Sequence, residues 1–129
     1  MRWRLATCDD REMRLTVLIV DDHPGFRAFA RALLEAEGLD VVGEAEDGAS
    51  ALAAASQLRP QVVVLDIQLP GLDGFEVAVR LAQMADPPAV VLVSTRDPST
   101  YRRRLAASPV RGFIPKNELS GHALLALLS

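Results

Sequence analysis

The chain has little lysine, almost no cysteine and no long apolar run. One lysine, Lys116, stands against thirteen arginines, and Cys8 is the single cysteine. A lone cysteine cannot close an internal disulfide, which argues for a reducing, cytoplasmic setting over a disulfide-held secreted one. The longest apolar runs cover four to six residues, far short of the ~20 that a membrane-spanning helix needs. Residues 1–12 lack the apolar stretch of a secretory signal. The net charge of −3 leaves no basic footprint for nucleic acid. There are no internal repeats and no low-complexity segments. The stretch Asp22-His23-Pro24-Gly25-Phe26 carries no glycine-rich loop of the kind that cradles a nucleotide or flavin.

What is present is the composition of an ordinary globular domain. The 129 residues are half hydrophobic and about a quarter charged, enough for one domain with a real core. Apolar runs alternate with helix-patterned stretches. Thr16–Val20 reads as a strand ending at Asp21-Asp22. Pro24 suits the first turn of a helix whose apolar face is Phe26, Phe29, Ala30, Leu33 and Leu34, and Gly38 stops it. Asp40–Ala45 is a second strand and Ala49–Leu58 an alanine-rich helix closed by Pro60. Gln61–Leu65, apolar from Val62 on, reads as a parallel strand covered on both faces, and it ends at Asp66. Asp73 is placed to cap a helix over Gly74–Met84. Ala89–Val93 is a fourth strand ending at Ser94-Thr95. A polar helix follows over about Ser99–Ala107, then a short strand Arg111–Pro115 and a last helix Asn117–Leu128. Five βα units in series imply a parallel sheet with right-handed crossovers and helices on both faces.

In such open sheets the site lies beyond the carboxyl ends of the strands. Asp21, Asp22, Asp66, Ser94 and Lys116 all fall there, on strands one, three, four and five. Taken singly, each has a plain structural role: a helix cap, a strand-end hydroxyl, a surface charge. Together they describe one site. Three neighbouring carboxylates repel one another, and a divalent cation held by hard oxygen ligands, Mg²⁺ or Mn²⁺, relieves the repulsion. Asp66 could then attack phosphorus as a carboxylate nucleophile. Ser94 could donate to one phosphoryl oxygen, and Lys116, a compact point charge, could pair with another.

Four stretches carry a family resemblance: Val17-Leu18-Ile19-Val20-Asp21-Asp22; Val64-Leu65-Asp66-Ile67-Gln68-Leu69-Pro70-Gly71-Leu72-Asp73-Gly74; Leu92-Val93-Ser94-Thr95; and Gly112-Phe113-Ile114-Pro115-Lys116. From about Leu15 to its end the chain resembles a CheY-like receiver domain of a two-component response regulator. The resemblance implies a doubly wound, flavodoxin-like α/β fold with five parallel strands in the order 2-1-3-4-5. It implies that Asp66 is the phosphoacceptor, that Asp22 binds Mg²⁺ directly and Asp21 largely through water, and that the backbone carbonyl of Gln68 is a further ligand. Ser94 and Phe113 take the positions of the switch hydroxyl and switch aromatic.

The chain departs from the family at two places. Thr95 stands where a very small residue is usual, which predicts a more crowded phosphate entrance. Asn117 stands where a proline is usual after the lysine, and a trans bond is expected there because a non-proline cis bond costs ~2.5–4 kcal/mol.

The expected partner is a histidine kinase or phosphotransfer protein. The expected output is a binding surface on the fourth helix, fifth strand and fifth helix, for an effector or a second copy, with the first and fifth helices as the other candidate face. No membrane or nucleic-acid contact by this domain is expected, and no catalytic turnover. A small aspartyl-phosphate phosphatase or phosphotransferase is the alternative. The haloacid-dehalogenase type of such enzymes carries Asp-x-Asp after the first strand, where this chain has Asp21-Asp22-His23. His23 could be a ligand, but reads first as a surface residue at a helix start. The run Arg102-Arg103-Arg104 reads as a solvated face, and Tyr101 with Leu105 as packing. Residues 1–12, with Trp3, match no element and are expected to form a disordered extension before a receiver at 13–129. The sequence shows no effector segment after Ser129, so it is expected to be a stand-alone receiver or one cut from a longer regulator.

Overall fold

A computed structural model describes residues 14–128. The expected extension at 1–12, with Trp3 and Cys8, lies outside the described residues, as do Met13 and Ser129 at the ends of the expected receiver. Strands β1 (Thr16–Val20), β2 (Asp40–Ala45), β3 (Val62–Asp66), β4 (Ala89–Ser94) and β5 (Gly112–Pro115) form one sheet in the order β2-β1-β3-β4-β5. Every pairing is parallel. Between them run helices α1 (Pro24–Ala36), α2 (Gly48–Leu58), α3 (Gly74–Ala82) and α4 (Arg102–Ala106), and α5 (Gly121–Leu128) closes the chain. The expected doubly wound topology holds, strand order included.

Alternation along each strand builds two cores. Leu18, Val20, Val63, Leu65, Val90 and Leu92 point to one face, where α2, α3 and Tyr101 cover them. Val17, Ile19, Val62, Val64, Val91 and Val93 point to the other, under Ala30 and Leu34 of α1 and Leu124 of α5. Neighbouring side chains on a strand face opposite ways, so a strand between two helical layers must be apolar at every position. β3 meets that demand from Val62 to Leu65, and Asp66 at its end is the one polar residue in it.

Local signals explain the helix ends. Asp47 accepts from Ser50 N at 2.8 Å and Ser50 Oγ lies 3.3 Å from Asp47 N, a reciprocal capping box that starts α2 at Gly48, one residue before the expected Ala49. Arg59 leaves that helix in the left-handed region at φ 50°. α3 ends at Ala82 and not Met84, since the Met84 N–H turns back to Leu81 O. The fourth helix is shorter than expected: Pro98–Tyr101 is a 3₁₀ turn and the α-helix proper spans only Arg102–Ala106. The last helix starts at Gly121 and not Asn117. Lys116–Glu118 forms a 3₁₀ turn first, and Ser120 Oγ then accepts from Ala123 N at 2.9 Å to cap the helix. None of the described peptide bonds is cis, so Asn117 follows Lys116 in trans as expected.

Gly74 is where this architecture is tightest. A Cβ there would lie 2.5 Å from the Asp66 carbonyl oxygen and 2.7 Å from Ile67 Cα, both backbone. The α3 N-terminus thus presses directly on the strand end that carries Asp66. Gly25, near the start of α1, has nothing within 4 Å of its would-be Cβ. Gly74→Ala should cost about 1–3 kcal/mol by overpacking against groups that cannot give. Gly25→Ala should cost nothing, or add up to about 1 kcal/mol. Urea midpoints of the two variants check this; equal stability would mean that the α3 contact is not rigid.

Candidate functional site

Strand register assembles the site. Leu65 of β3 sits beside Val20 of β1, Asp66 beside Val93 of β4, and Pro115 of β5 beside Ser94. Asp21, Asp66, Ser94 and Lys116 therefore leave the sheet at one level of its C-terminal edge. Asp21, Asp66 and Ser94 are the buried polar residues of the described chain, at 0, 2 and 0 % exposure. All three belong to one crevice, and elsewhere the core is apolar. Asp22 lies at the exposed rim.

Charge is concentrated and only partly compensated. Lys116 Nζ lies 2.5 Å from Asp21 Oδ2 and 3.4 Å from Asp66 Oδ2. It donates to Asp66 and forms its closer ion pair with the buried Asp21 Oδ2, so two buried carboxylates share one ammonium. The ammonium rests 4.6 Å from the centre of the Phe26 ring, which supports a cation on its face. Burial pushes the Asp66 carboxyl above its ordinary range, and the nearby Asp21 charge adds to this; Lys116 and the Gln68 N–H, 3.2 Å from Asp66 Oδ1, offset only part.

The rim is built from two loops and a helix start. His23 donates its backbone N–H to Asp21 Oδ1 at 2.8 Å, and its Nδ1 lies 3.1 Å from both Asp21 Oδ1 and Asp22 Oδ1. Ser94 Oγ accepts from Arg96 N at 3.1 Å. With its amide oxygen turned to the guanidinium, Gln68 accepts from Arg96 Nε at 3.3 Å and Nη2 at 3.1 Å. That contact ties the loop after Asp66 to the loop after Ser94. Thr95, expected to crowd the entrance, is exposed; the side chains that bridge the two loops are Gln68 and Arg96.

Phe113 stands apart from the carboxylates. It is half-buried, with its ring centre 6.4 Å from Tyr101, which lies 5.8 Å from Phe75. Arg104 stacks 4.1 Å over Phe75 and bonds Asp73 Oδ2 at 2.7 Å. The aromatic chain joins β5, α4 and α3, and the ion pair holds α4 to the residue that caps α3. The carboxylates, Lys116, Ser94 and Gln68 come together as the sequence suggests. Phe26 beneath Lys116, the Gln68–Arg96 bridge and the Arg104–Asp73 pair were not legible; only the adjacency of His23 to Asp21-Asp22 hinted at its place.

The family model of the response regulator receiver domain matches residues 17–128. The chain belongs to the response regulator receiver family. BvgA of Bordetella pertussis, named as a transcription regulator of virulence factors, is 43% identical over 102 residues, which are 79% of this chain and 49% of BvgA. NarL of Mycobacterium tuberculosis, named as a transcriptional regulatory protein, is 34% identical over 116 residues, 89% of this chain and 54% of NarL. The solved signal receiver domain of that NarL matches with a TM-score of 0.78 at 33% identity, covering 90% of this chain and 98% of that domain. The chain thus spans about half the length of the curated relatives it matches. This receiver presents to any cation a cluster in which Asp21, Asp22, His23 and Asp66 each place a donor within 4.8 Å of the others.

The raised Asp66 carboxyl has a consequence for stability. A carboxyl whose folded pKa lies above its ordinary 3.8 penalises the fold once both states are ionised, and not when both are protonated. In metal-free buffer, Asp66→Asn should therefore be more stable than the parent at neutral pH. The gain should fade as pH drops through the raised folded value toward 3.8. Denaturant unfolding across pH tests this; a gain independent of pH would assign it to something other than the buried charge.

Proposed function

We propose that this receiver accepts a phosphoryl group on Asp66 from a phosphohistidine of a kinase or phosphotransfer protein, and that the modified site re-forms the face made by α4, β5 and α5. The observation that carries this reading is the buried Asp66 carboxylate at a strand end, with Lys116 within 3.4 Å of it and a second buried carboxylate, Asp21, on that same lysine. In the transfer an Asp66 oxygen forms a bond to phosphorus as the donor's P–N bond breaks, leaving an acyl phosphate and a free imidazole. The residues suit this chemistry. Their charge is net negative and their burial strong, so an arriving phosphoryl dianion needs cations already in place. Lys116 is one. The clustered carboxylates of Asp21, Asp22 and Asp66 have the donor set for a divalent ion, Mg²⁺ or Mn²⁺. Asp21, Asp22, Asp66 and the backbone carbonyl of Gln68 would hold it. Such an ion supplies electrostatic neutralisation of the transferring oxygens.

Relay then follows from groups next to the acceptor. The buried Ser94 hydroxyl is free to donate to a phosphoryl oxygen while it still accepts from Arg96 N. Drawing Ser94 inward would pull on the loop that leads to Pro98–Tyr101, and so on Tyr101, Arg104 and Phe113. Lys116 moving onto the phosphoryl group would pull from β5. Both routes meet at α4, which is short and carries no fully buried residue of its own. We place the domain in the cytoplasm with its kinase; no helix of the described residues is long and apolar enough to cross a membrane. It acts as an acceptor and switch without turnover of a free substrate. Relatives about twice its length are named as transcription regulators, and an output of that kind would be coupled through the same face.

Two measurements test the proposal. A small phosphodonor with Mg²⁺ should give a hydroxylamine-labile adduct on Asp66, and Asp66→Asn should lose it; undiminished labelling of the variant would move the acceptor elsewhere. Beryllium fluoride, a tetrahedral phosphoryl mimic, should change hydrogen exchange mainly across residues 96–116 and much less in α2. Changes confined to α1 and α2 would show that the signal does not leave through Ser94 and Lys116.

A further inference from the structure

Lys116 is the only lysine of the chain, and its ammonium has neighbours of two kinds. Nζ lies 2.5 Å from Asp21 Oδ2 and 3.4 Å from Asp66 Oδ2, and it stands over the Phe26 ring, 4.6 Å from its centre. The side chain is 11% exposed, so little of it is left to water. An ammonium carries three N–H donors and no acceptor. Carboxylates face it on one side and a π face on the other. That face attracts a cation without a lone pair and without fixing a direction.

Local structure keeps the ring in that place. Pro24 sets the first turn of α1, which carries Phe26. Arg27, next in the chain, donates from Nη1 to the Asp21 carbonyl at 2.6 Å, and its backbone N–H bonds His23 O at 3.1 Å. The turn that carries Phe26 is thereby tied to the strand end that carries Asp21. Phe26 also packs against the core beneath α1, with the exposed Phe29 ring 6.4 Å away. Any large apolar side chain would meet that packing demand. Packing does not account for an aromatic face set against the one ammonium of the site.

We infer that Phe26 is a positioning residue of this receiver: its ring retains the Lys116 ammonium inside the crevice, so that the charge is in place before a phosphoryl group arrives on Asp66. The inference rests on the acceptor reading proposed above and adds a residue to it. Lys116 has a flexible stem, and water at the rim competes for its strongly hydrated head. The ring biases that equilibrium inward. A site whose competent form is only partly populated binds its ligand more weakly, in proportion to that fraction. Because the ring offers no lone pair, it commits no N–H to a fixed acceptor. One N–H stays available for a phosphoryl oxygen while Asp21 keeps its pair.

The test uses the whole chain in Mg²⁺ with beryllium fluoride as the probe. With one lysine in the sequence, lysine-selective isotope labelling gives a single set of side-chain signals. The ring current should shift the Lys116 ε-methylene protons upfield, with and without the probe, and Phe26→Leu should lose that shift. Fluorine magnetic resonance of the bound probe should show affinity weakened about three- to tenfold in Phe26→Leu and restored in Phe26→Tyr. Mono-, di- and trifluorophenylalanine at position 26 keep the ring's shape and withdraw charge from its face, so affinity should fall stepwise along that series. Unchanged affinity in Phe26→Leu, or a loss that ignores fluorination, assigns Phe26 to packing alone and overturns the inference while the acceptor site stands. Tighter binding in Phe26→Leu makes the ring a competitor for the ammonium and overturns it equally. Probe binding that survives Asp66→Asn, or that is absent from the parent, overturns the acceptor reading and this inference with it.

Discussion

Two carboxylates are buried side by side at the C-terminal edge of the sheet, and a single ammonium stands between them. Asp21 and Asp66 sit at or near zero exposure, and Lys116 reaches both. Burying one carboxylate costs free energy, and burying two that repel each other costs more. The fold tolerates this because strand ends at one level bring Lys116 in from β5 and the ring of Phe26 holds the ammonium from below. The compensation is incomplete: one ammonium serves two buried carboxylates, and Asp66 stays harder to ionise than a free aspartate. A site left in that condition favours any cation that can enter.

The surrounding architecture keeps that condition from relaxing. Gly74 lets the α3 N-terminus sit against the Asp66 carbonyl, which fixes the backbone at the strand end that carries the acid. Arg27 donates to the Asp21 carbonyl at 2.6 Å and pairs with Glu44, which Arg31 also binds at 2.7 Å. These arginines hold Glu44 well ionised and fasten the Asp21 backbone to α1 and β2. The more firmly fastened side of the site is thus α1, β2 and β3. The lighter side is α4, fastened by Tyr101 in the core and by the Arg104–Asp73 pair. An exposed ion pair of that kind is worth about 0–1 kcal/mol, which a phosphorylated site could overcome. The proposed relay from Asp66 to α4 depends on that contrast in how firmly the two sides are fastened.

Several expectations about elements needed correction, for reasons local sequence does not carry. The fourth helix reads as nine residues by pattern, yet the chain first makes a 3₁₀ turn, capped by Asp97 and closed by the buried Tyr101. The last helix reads as starting at Asn117, but Lys116 must point into the crevice, and Ser120 restarts the chain as a helix. The run Arg102-Arg103-Arg104 reads as one solvated face. In the structure Arg104 is singled out by Phe75 and Asp73, which are 29 and 31 residues away.

Periodicity and strand ends are local properties, so the sequence by itself determined the five βα units, the buried strands and the residues standing at their carboxyl ends. Asp21, Asp22, Asp66, Ser94 and Lys116 follow from that alone, because an open parallel sheet places its site at those ends. Distance and desolvation are not local. Only strand register and packing decided that Lys116 lies between Asp21 and Asp66, that Gln68 meets Arg96, and that His23 leans over the acids with its side chain unused as a cap. Sequence pattern says which groups arrive at an edge; the energies between them depend on separations of a few ångströms, and those exist only once the sheet has closed its register.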